Sequence, residues 1–180
     1  MTVIHANDPT TQFLSLLYSQ REDLKAHITE KNTNMEVIRA VRSDDSIMML
    51  GHGNRYGLFS IPRKDGTYNR LLINSDHVQF LRGKPCIGIW CHADKFADRY
   101  KLRGLFSGMM ISEMNEAQSF NIATTPEELE RENRLYALRL RHCLDHYPLP
   151  EIPFRMLELN DTHTPLTDFN YSSLYWYPGS

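Results

Sequence analysis

Two short apolar runs, each followed by a chemically reactive residue, constrain this chain more than any other feature. Residues 47–50 run into a Gly-His-Gly turn that holds His52, and residues 86–90 run directly into Cys91. Short apolar runs closed by turn signals are typical of buried strands. In an open α/β sheet, functional groups collect beyond the carboxyl ends of the strands. We therefore expect His52 and Cys91 to meet at one edge of a central sheet.

Patterns elsewhere in the chain predict an α/β fold. Capping residues mark helix starts, and Asp65-Gly66 marks a turn between two apolar runs. The predicted strands include 2–6, 47–50 and 86–90, the predicted helices start near Asp8-Pro9, Thr33, Asn74, Asp94 and Thr125-Pro126, and the predicted hairpin turns at residues 64–67. Strands that alternate with helices favour a three-layer α/β sandwich with a mostly parallel central sheet and an inserted β-hairpin.

The composition is that of a globular domain. The chain has 180 residues, of which 41% are apolar and 23% are charged. We expect a single domain over residues 1–180, in which residues 147–180 form an irregular tail packed on the body. The aromatic end of this tail is expected to cover the core, with a homodimer contact as the alternative.

Charge and hydropathy argue against several classes of partner. A net charge of −2 gives no support for nucleic-acid binding, and no apolar run approaches the ~18 residues of a membrane span. The N-terminus lacks the pattern of a secretory signal, and three cysteines do not make a disulfide framework. These features predict a cytoplasmic protein with free thiols and neither a nucleic-acid nor a membrane partner.

The chemistry of a cysteine nucleophile suits the two strand ends. Such a nucleophile needs a base nearby and hydrogen-bond donors for the oxyanion. Cys91 lies at a predicted strand-to-helix turn, where a helix N-terminus is expected to lower its pKa. The backbone N–H groups of Gly53 and Cys91 are the candidate oxyanion donors, and His52 is the candidate base.

These two segments resemble the caspase–gingipain–legumain clan of cysteine peptidases, which includes the bacterial CHAT domains. In that clan an apolar strand ends in His-Gly and a later apolar strand ends in the nucleophilic cysteine, as residues 48–53 and 87–93 do. The resemblance implies a caspase-like fold and a peptide or protein substrate. It also implies His52 as catalytic histidine, Cys91 as nucleophile, and Gly53 with Cys91 as oxyanion hole. The chain departs from the clan in its small size and its lack of a recognisable self-cleavage linker.

The resemblance further suggests which residues contact the substrate. The first substrate pocket of the clan is lined from the end of the first strand and from strands near the cysteine. The matching residues are Asn7, Asp8, Asp94 and Glu113. Their acidity favours a basic residue before the scissile bond. Asp8 also fits a helix N-cap, and this role is compatible with the first.

Two alternatives accompany the peptidase hypothesis. The first is a catalytically inactive caspase-fold module that binds an unknown partner. The second is a zinc site made by Cys91, His92 and His52, which no HExxH or paired CxxC pattern supports. The sequence has no phosphate-binding loop, and neither a metal nor another cofactor is expected. Cys86 and Cys143 are expected in the core.

Overall fold

A computed structural model describes residues 1–63, 67–68 and 70–179 of the chain. The strands are β1 (Thr2–His5), β2 (Ala26–Ile28), β3 (Ile47–Leu50), β4 (Gly53–Asn54), β5 (Gly57–Phe59), β6 (Leu71–Ile73), β7 (Cys86–Ile89), β8 (Arg103–Ser107) and β9 (Leu174–Pro178). The α-helices are α1 (Asn34–Ser43), α2 (Val78–Leu81), α3 (Ala93–Tyr100), α4 (Met114–Ser119), α5 (Pro126–His146), α6 (Ile152–Glu158) and α7 (Pro165–Tyr171). Three 3-10 helices cover Pro9–Leu17, Ser75–His77 and Leu149–Glu151.

A six-stranded sheet forms the centre of the fold, in the order β2-β1-β3-β7-β8-β9. The first five strands are parallel, and β9 is antiparallel to β8. The predicted α/β fold with a mostly parallel central sheet is therefore confirmed. Leu50 of β3 pairs in register with Ile89 of β7, so these two neighbouring strands end at the same edge.

Helices cover both faces of this sheet, as expected for a three-layer sandwich. Side chains of a strand alternate between the two faces. Ile47 and Met49 belong to the core under α1, α2 and α3, whereas Met48 and Leu50 belong to the core under the first 3-10 helix, α5 and α6. Continued past the strand ends, this alternation directs residues 52 and 91 to the second face.

An antiparallel sheet of three strands, in the order β4-β5-β6, is inserted between β3 and α2. The pairing of β5 with β6 confirms the predicted hairpin, while its predicted turn at Lys64, Asp65 and Gly66 lies outside the described residues. β4, which was not predicted, starts directly after His52. The Phe59 N–H donates to the His52 carbonyl at 2.8 Å, which ties the inserted sheet to the turn after β3.

The prediction of an irregular tail over residues 147–180 is wrong. This segment forms a 3-10 helix, α6, α7 and the edge strand β9. Thr164 caps α7 and Pro165 occupies its first position, which is a helix-start pattern that sequence analysis passed over. Tyr171 and Leu174 are buried in the second core. The single-domain boundary at 1–180 stays a prediction.

The helix-start signals identified in the sequence are otherwise accurate. Thr33 accepts a hydrogen bond from Glu36 N–H at the start of α1, and Thr125 accepts one from Glu128 N–H at the start of α5. Asp8 caps the first helix as predicted, although that helix is 3-10 throughout. No helix in the described part of the chain combines the length and the apolar character needed to cross a bilayer.

Candidate functional site

The carboxyl edge of β3 and β7 brings the two predicted catalytic residues together. His52 lies in the turn after β3, where Gly51 has a φ of +137° that other residues rarely adopt. Cys91 lies two residues after the end of β7. Both line one cavity of about 10 Å³, together with Gly51 and Met110. A volume of that size corresponds to about one water molecule.

A chain of hydrogen bonds orients the His52 ring. His52 Nε2 lies 2.7 Å from Thr10 Oγ1, and the Thr10 hydroxyl donates to Asp8 Oδ1 at 2.9 Å. Because a hydroxyl has one proton and Thr10 gives it to Asp8, Nε2 must be the donor in the bond to Thr10. This arrangement keeps the proton of a neutral ring on Nε2 and leaves a lone pair on Nδ1. The His52 side chain is only 10% exposed, so water competes little with Thr10.

The Cys91 thiol is hydrogen-bonded to two oxygen acceptors and not to the His52 ring. It donates to the Met110 carbonyl at 3.5 Å and to Glu116 Oε1 at 3.7 Å. Burial, followed by the negative charge of Glu116, raises the pKa of Cys91 to about 12. The expected lowering by the N-terminus of α3 is therefore wrong, because burial and Glu116 outweigh it. No hydrogen bond joins Cys91 to His52 within residues 1–63, 67–68 and 70–179.

Both predicted oxyanion donors are available. The Cys91 N–H has no hydrogen-bond partner among the described residues. The His52 carbonyl accepts from Phe59, and in an antiparallel pair hydrogen-bonded and non-hydrogen-bonded positions alternate. The next pair, Gly53 with Leu58, is therefore non-hydrogen-bonded, and the Gly53 N–H points away from β5.

Gly53 also lies against the residue that precedes Cys91. A Cβ placed on Gly53 would lie 2.2 Å from Trp90 Cδ1, so no larger residue fits without displacing the indole. The Trp90 ring is itself anchored, since its Nε1 donates to the Asn54 carbonyl at 3.1 Å. This contact holds the turn after β3 close to the turn after β7.

Carboxylates surround His52. Asp8 Oδ2 lies 3.9 Å from Nε2 and Glu113 Oε2 lies 4.0 Å from it. Burial raises the pKa of Glu113, and the charges of Glu116 and Asp8 add to this against the opposing effect of His52. Two of the three acidic residues predicted to bind substrate, Asp8 and Glu113, are thus placed beside the candidate base, whereas Asn7 donates to Glu30.

Asp94 is the third predicted substrate-binding residue, and the structure does not place it with His52. It is buried in the first turn of α3, where its Oδ2 lies 3.2 Å from Lys95 Nζ. Its charge contributes to the raised pKa of Tyr177, which lies on β9. Adjacency to Cys91 in sequence does not decide which way a helical side chain faces, so a role for Asp94 in substrate binding stays a prediction.

Thr10, Tyr68 and Glu116 also belong to this site, although the sequence did not single them out. Tyr68 stacks on Phe59 with ring centroids 4.2 Å apart, and its centroid lies 6.2 Å from that of His52. Burial, followed by the charges of Asp8 and Glu113, raises the pKa of Tyr68 to about 12. The sole signal for Thr10 was its position two residues after the cap Asp8.

A larger cleft of about 640 Å³ adjoins the His52–Cys91 cavity. Its walls are the first 3-10 helix, the loop before α4 and the start of α5. Thr10, Ser112 and Glu113 line it, and Ser112 also lines the small cavity. The cleft has the volume of a small-ligand or peptide side-chain pocket, whereas the small cavity does not.

Potential metal ligands also lie close together beside His52, at the carboxyl edge of the sheet. Within the described residues, the one group close enough to share an ion comprises His52, Glu113 and Glu116, whose ligand atoms lie within 4.8 Å of one another. His92 is not a member, because it adopts a left-handed conformation (φ +68°) as the N-cap of α3. The zinc set of Cys91, His92 and His52 is therefore not assembled.

The edge of the sheet thus combines a thiol, an imidazole with a free ring nitrogen and two available backbone N–H groups. Acyl transfer to a cysteine requires these groups. The case for any function depends on this local geometry, because no family model matches the chain and no curated protein matches it either.

Proposed function

We propose that the protein is a caspase-like cysteine peptidase that works through an acyl-enzyme. Cys91 is the nucleophile and His52 is its base and acid. The observation that carries this proposal is that both side chains line one cavity at the ends of adjacent parallel strands. The oriented imidazole and the two unoccupied N–H groups support it.

The reaction follows from the groups present. His52 Nδ1 takes the proton of the Cys91 thiol as Sγ bonds to the carbonyl carbon of the substrate. The N–H groups of Gly53 and Cys91 stabilise the oxyanion that forms. The carbon–nitrogen bond then breaks, and His52 returns the proton to the leaving amine. Water, deprotonated by His52, attacks the thioester and releases the carboxylic acid with the free thiol.

The carboxylates act in opposite directions on the two catalytic groups. Asp8 and Glu113 place negative charge 3.9 and 4.0 Å from His52 Nε2, which stabilises the positive charge that develops on the ring in the transition state. Glu116 accepts from the thiol and opposes thiolate formation. The resting cysteine is therefore a neutral thiol. Its proton leaves when a substrate is bound and the attack begins, so the protein does not hold a permanent thiolate–imidazolium pair.

The same carboxylates indicate the substrate class. Asp8 and Glu113 place negative charge beside the reacting groups, which favours a peptide with Lys or Arg before the scissile bond. A series of peptide amides with Arg, Lys, Asp or Ala at that position tests this preference. Faster cleavage after Asp than after Arg would refute it.

An acyl electrophile directed at thiols, such as a peptidyl acyloxymethyl ketone, tests the peptidase proposal. We expect one label per chain, located on Cys91 by mass spectrometry and lost in His52→Ala. Cys86 and Cys143 are buried and serve as internal controls. Equal labelling of all three thiols, or undiminished labelling of His52→Ala, would contradict a role for His52.

A catalytically inactive binding module is the second candidate. It is favoured by the thiol of Cys91, whose pKa is raised to about 12 and which donates to Glu116 and not to His52. This candidate predicts that basic peptides bind in the 640 Å³ cleft without being cleaved. Isothermal titration with such a peptide, followed by chromatography of the recovered peptide, separates the two functions.

A further inference from the structure

We propose that His52, Glu113 and Glu116 form a binding site for one divalent transition-metal ion. A bound ion occupies His52 and so removes it from the chemistry of Cys91. The binding itself does not depend on the proposed function, whereas the effect on Cys91 rests on it.

The first argument is the balance of charge. Three carboxylates, those of Asp8, Glu113 and Glu116, lie around one imidazole. In the described part of the chain, His52 is the one basic residue with a nitrogen within 4.0 Å of a side-chain oxygen of Asp8 or Glu113, and no basic nitrogen lies that close to Glu116. Crowded carboxylates in a partly buried pocket must either take up protons or bind a cation. A divalent cation relieves more of this repulsion than the single charge of an imidazolium.

The second argument is the state of each ligand. Glu116 is fixed, because its Oε2 accepts from Ser112 N–H at 2.7 Å and from Glu113 N–H at 3.1 Å. Its Oε1 has only the weak thiol contact and keeps a lone pair free. Glu113 is one-third exposed and forms a capping box with Glu116 at the start of α4. Both carboxylates are therefore held on one helix turn that faces His52, and the exposed Glu113 side chain has the more room to move toward an ion.

The distances require only a modest adjustment. His52 Nε2 and Glu113 Oε2 are 4.0 Å apart. Metal–ligand bonds of about 2.1 Å place neighbouring ligand atoms about 3.0–3.4 Å apart. Because the ligand atoms of all three residues lie within 4.8 Å of one another, the His52 ring and the Glu113 side chain must both shift toward the ion. Coordination through Nε2 replaces its hydrogen bond to Thr10 and moves the ring proton to Nδ1, so the ring stays neutral while Nδ1 loses the lone pair that accepts the thiol proton.

An independent observation places the cation beside His52. Asp8 is 4% exposed, and its Oδ2 has no hydrogen-bond partner among the described residues. A buried carboxylate oxygen without a donor is costly. This oxygen lies 3.9 Å from His52 Nε2, on the cluster side of the ring. It belongs to the third carboxylate around His52, and a cation in the cluster would satisfy it.

The ligand set selects the class of ion. Imidazole with carboxylates suits Mn²⁺, Fe²⁺ or Zn²⁺, whereas Ca²⁺ and Mg²⁺ prefer oxygen alone and Cu⁺ prefers sulfur. Mn²⁺ is the appropriate probe because it has little affinity for thiols. Its binding therefore reports on the His–Glu–Glu cluster and is not confused with binding at Cys91.

Titration with Mn²⁺, followed by the electron paramagnetic resonance signal of the free ion, tests the site. We expect one bound ion per chain and at least about a tenfold loss of affinity in Glu113→Gln and in Glu116→Gln. Glutamine preserves the hydrogen bonds that Glu116 accepts at the start of α4, so this variant is expected to fold. Glu130→Gln, in the adjoining cleft, is the matched control and should bind normally.

Three outcomes would overturn the metal site. These are no loss of the free-ion signal, unchanged affinity in both glutamine variants, or equal weakening in Glu130→Gln. The effect of the ion on Cys91 is tested with the acyl electrophile. Saturating Mn²⁺ should slow the labelling of Cys91 at least about tenfold in the wild type but not in Glu113→Gln. Labelling that is unchanged by bound Mn²⁺ refutes the effect on His52. An absence of labelling without metal refutes the peptidase and leaves the titration to decide the metal site.

Discussion

Thr10 is a positioning residue, and replacing it by valine gives the sharpest test of how His52 is oriented. Valine has nearly the shape of threonine but lacks the hydroxyl that lies 2.7 Å from His52 Nε2. The backbone N–H of residue 10 still donates to Asp8 Oδ1 at 3.0 Å, so the helix cap survives. The substitution therefore removes the acceptor of the His52 proton while leaving the fold of the first helix in place.

The size of the effect follows from burial. The His52 side chain is 10% exposed, so water replaces the lost acceptor poorly. Leaving a buried donor without a partner costs about 1–3 kcal/mol. The Nε2–H tautomer of His52 is destabilised by this amount, so the ring no longer prefers the tautomer that leaves Nδ1 free to act as the base. Since about 1.4 kcal/mol corresponds to a tenfold change in rate, we expect Cys91 acylation to slow by about 10- to 100-fold.

Two measurements check this prediction. The first is the rate of Cys91 labelling as a function of pH, and the second is the ¹⁵N spectrum of the His52 ring, which distinguishes the protonated nitrogen. Thr10→Ser should restore both, and Thr11→Val is the matched control because the Thr11 hydroxyl contacts His5 and not His52. If Thr10→Val kept the Nε2–H tautomer and the wild-type rate, the proposed orientation of His52 would be wrong.

The remaining predictions concern a thiol, a glycine and a buried histidine. Glu116→Gln removes the second cause of the raised Cys91 pKa, so the pH midpoint of thiol alkylation should fall below that of the wild type; an unchanged midpoint would contradict the assignment to Glu116. Gly53→Ala places a methyl group 2.2 Å from Trp90 Cδ1 and should lower the free energy of unfolding by about 1–3 kcal/mol in urea titrations, and a loss within error would show that the indole moves freely. Burial, followed by the charge of His27, lowers the pKa of His5 to about 4, whereas the unfolded chain has a pKa near 6.5. Between these two pH values the unfolded state binds a proton that the folded state does not, so the stability linked to His5 is present above about pH 6.5 and is lost as the pH falls toward 4. In His5→Gln the free energy of unfolding should therefore change less with pH between about 4 and 6.5 than in the wild type. An unchanged pH dependence in that variant would refute the assignment to His5.

The strands and helices that rest on local signals could be predicted from the sequence. β3 and β7 are short apolar runs closed by turns, and α1 and α5 begin at threonine caps. The alternation of side chains along a strand also directs both His52 and Cys91 to one face of the sheet. These features depend on residues within a few positions of one another, which explains why a single sequence reveals them.

Features that depend on distant segments could not be predicted in this way. Glu116 reaches the Cys91 thiol from α4, 25 residues along the chain, and it is the second cause, after burial, of the raised pKa of Cys91. Thr10 contacts His52 across 42 residues. β9 follows two helices and joins the sheet by antiparallel pairing with β8, a choice that depends on how the tail packs.

The acids constrain how such a site works. Glu116 accepts from the Cys91 thiol and helps to raise its pKa, so the resting cysteine keeps its proton. Attack by sulfur therefore requires something that moves Glu116 or places an electrophile within reach of Sγ. On the proposed function, a substrate with a basic side chain would do the first by competing for the carboxylates and the second by its position. A divalent ion competes for the same carboxylates but also takes His52, so the two cations have opposite consequences for Cys91. Because they share Glu113, basic peptides should weaken Mn²⁺ binding in the wild type and lose this effect in Glu113→Gln.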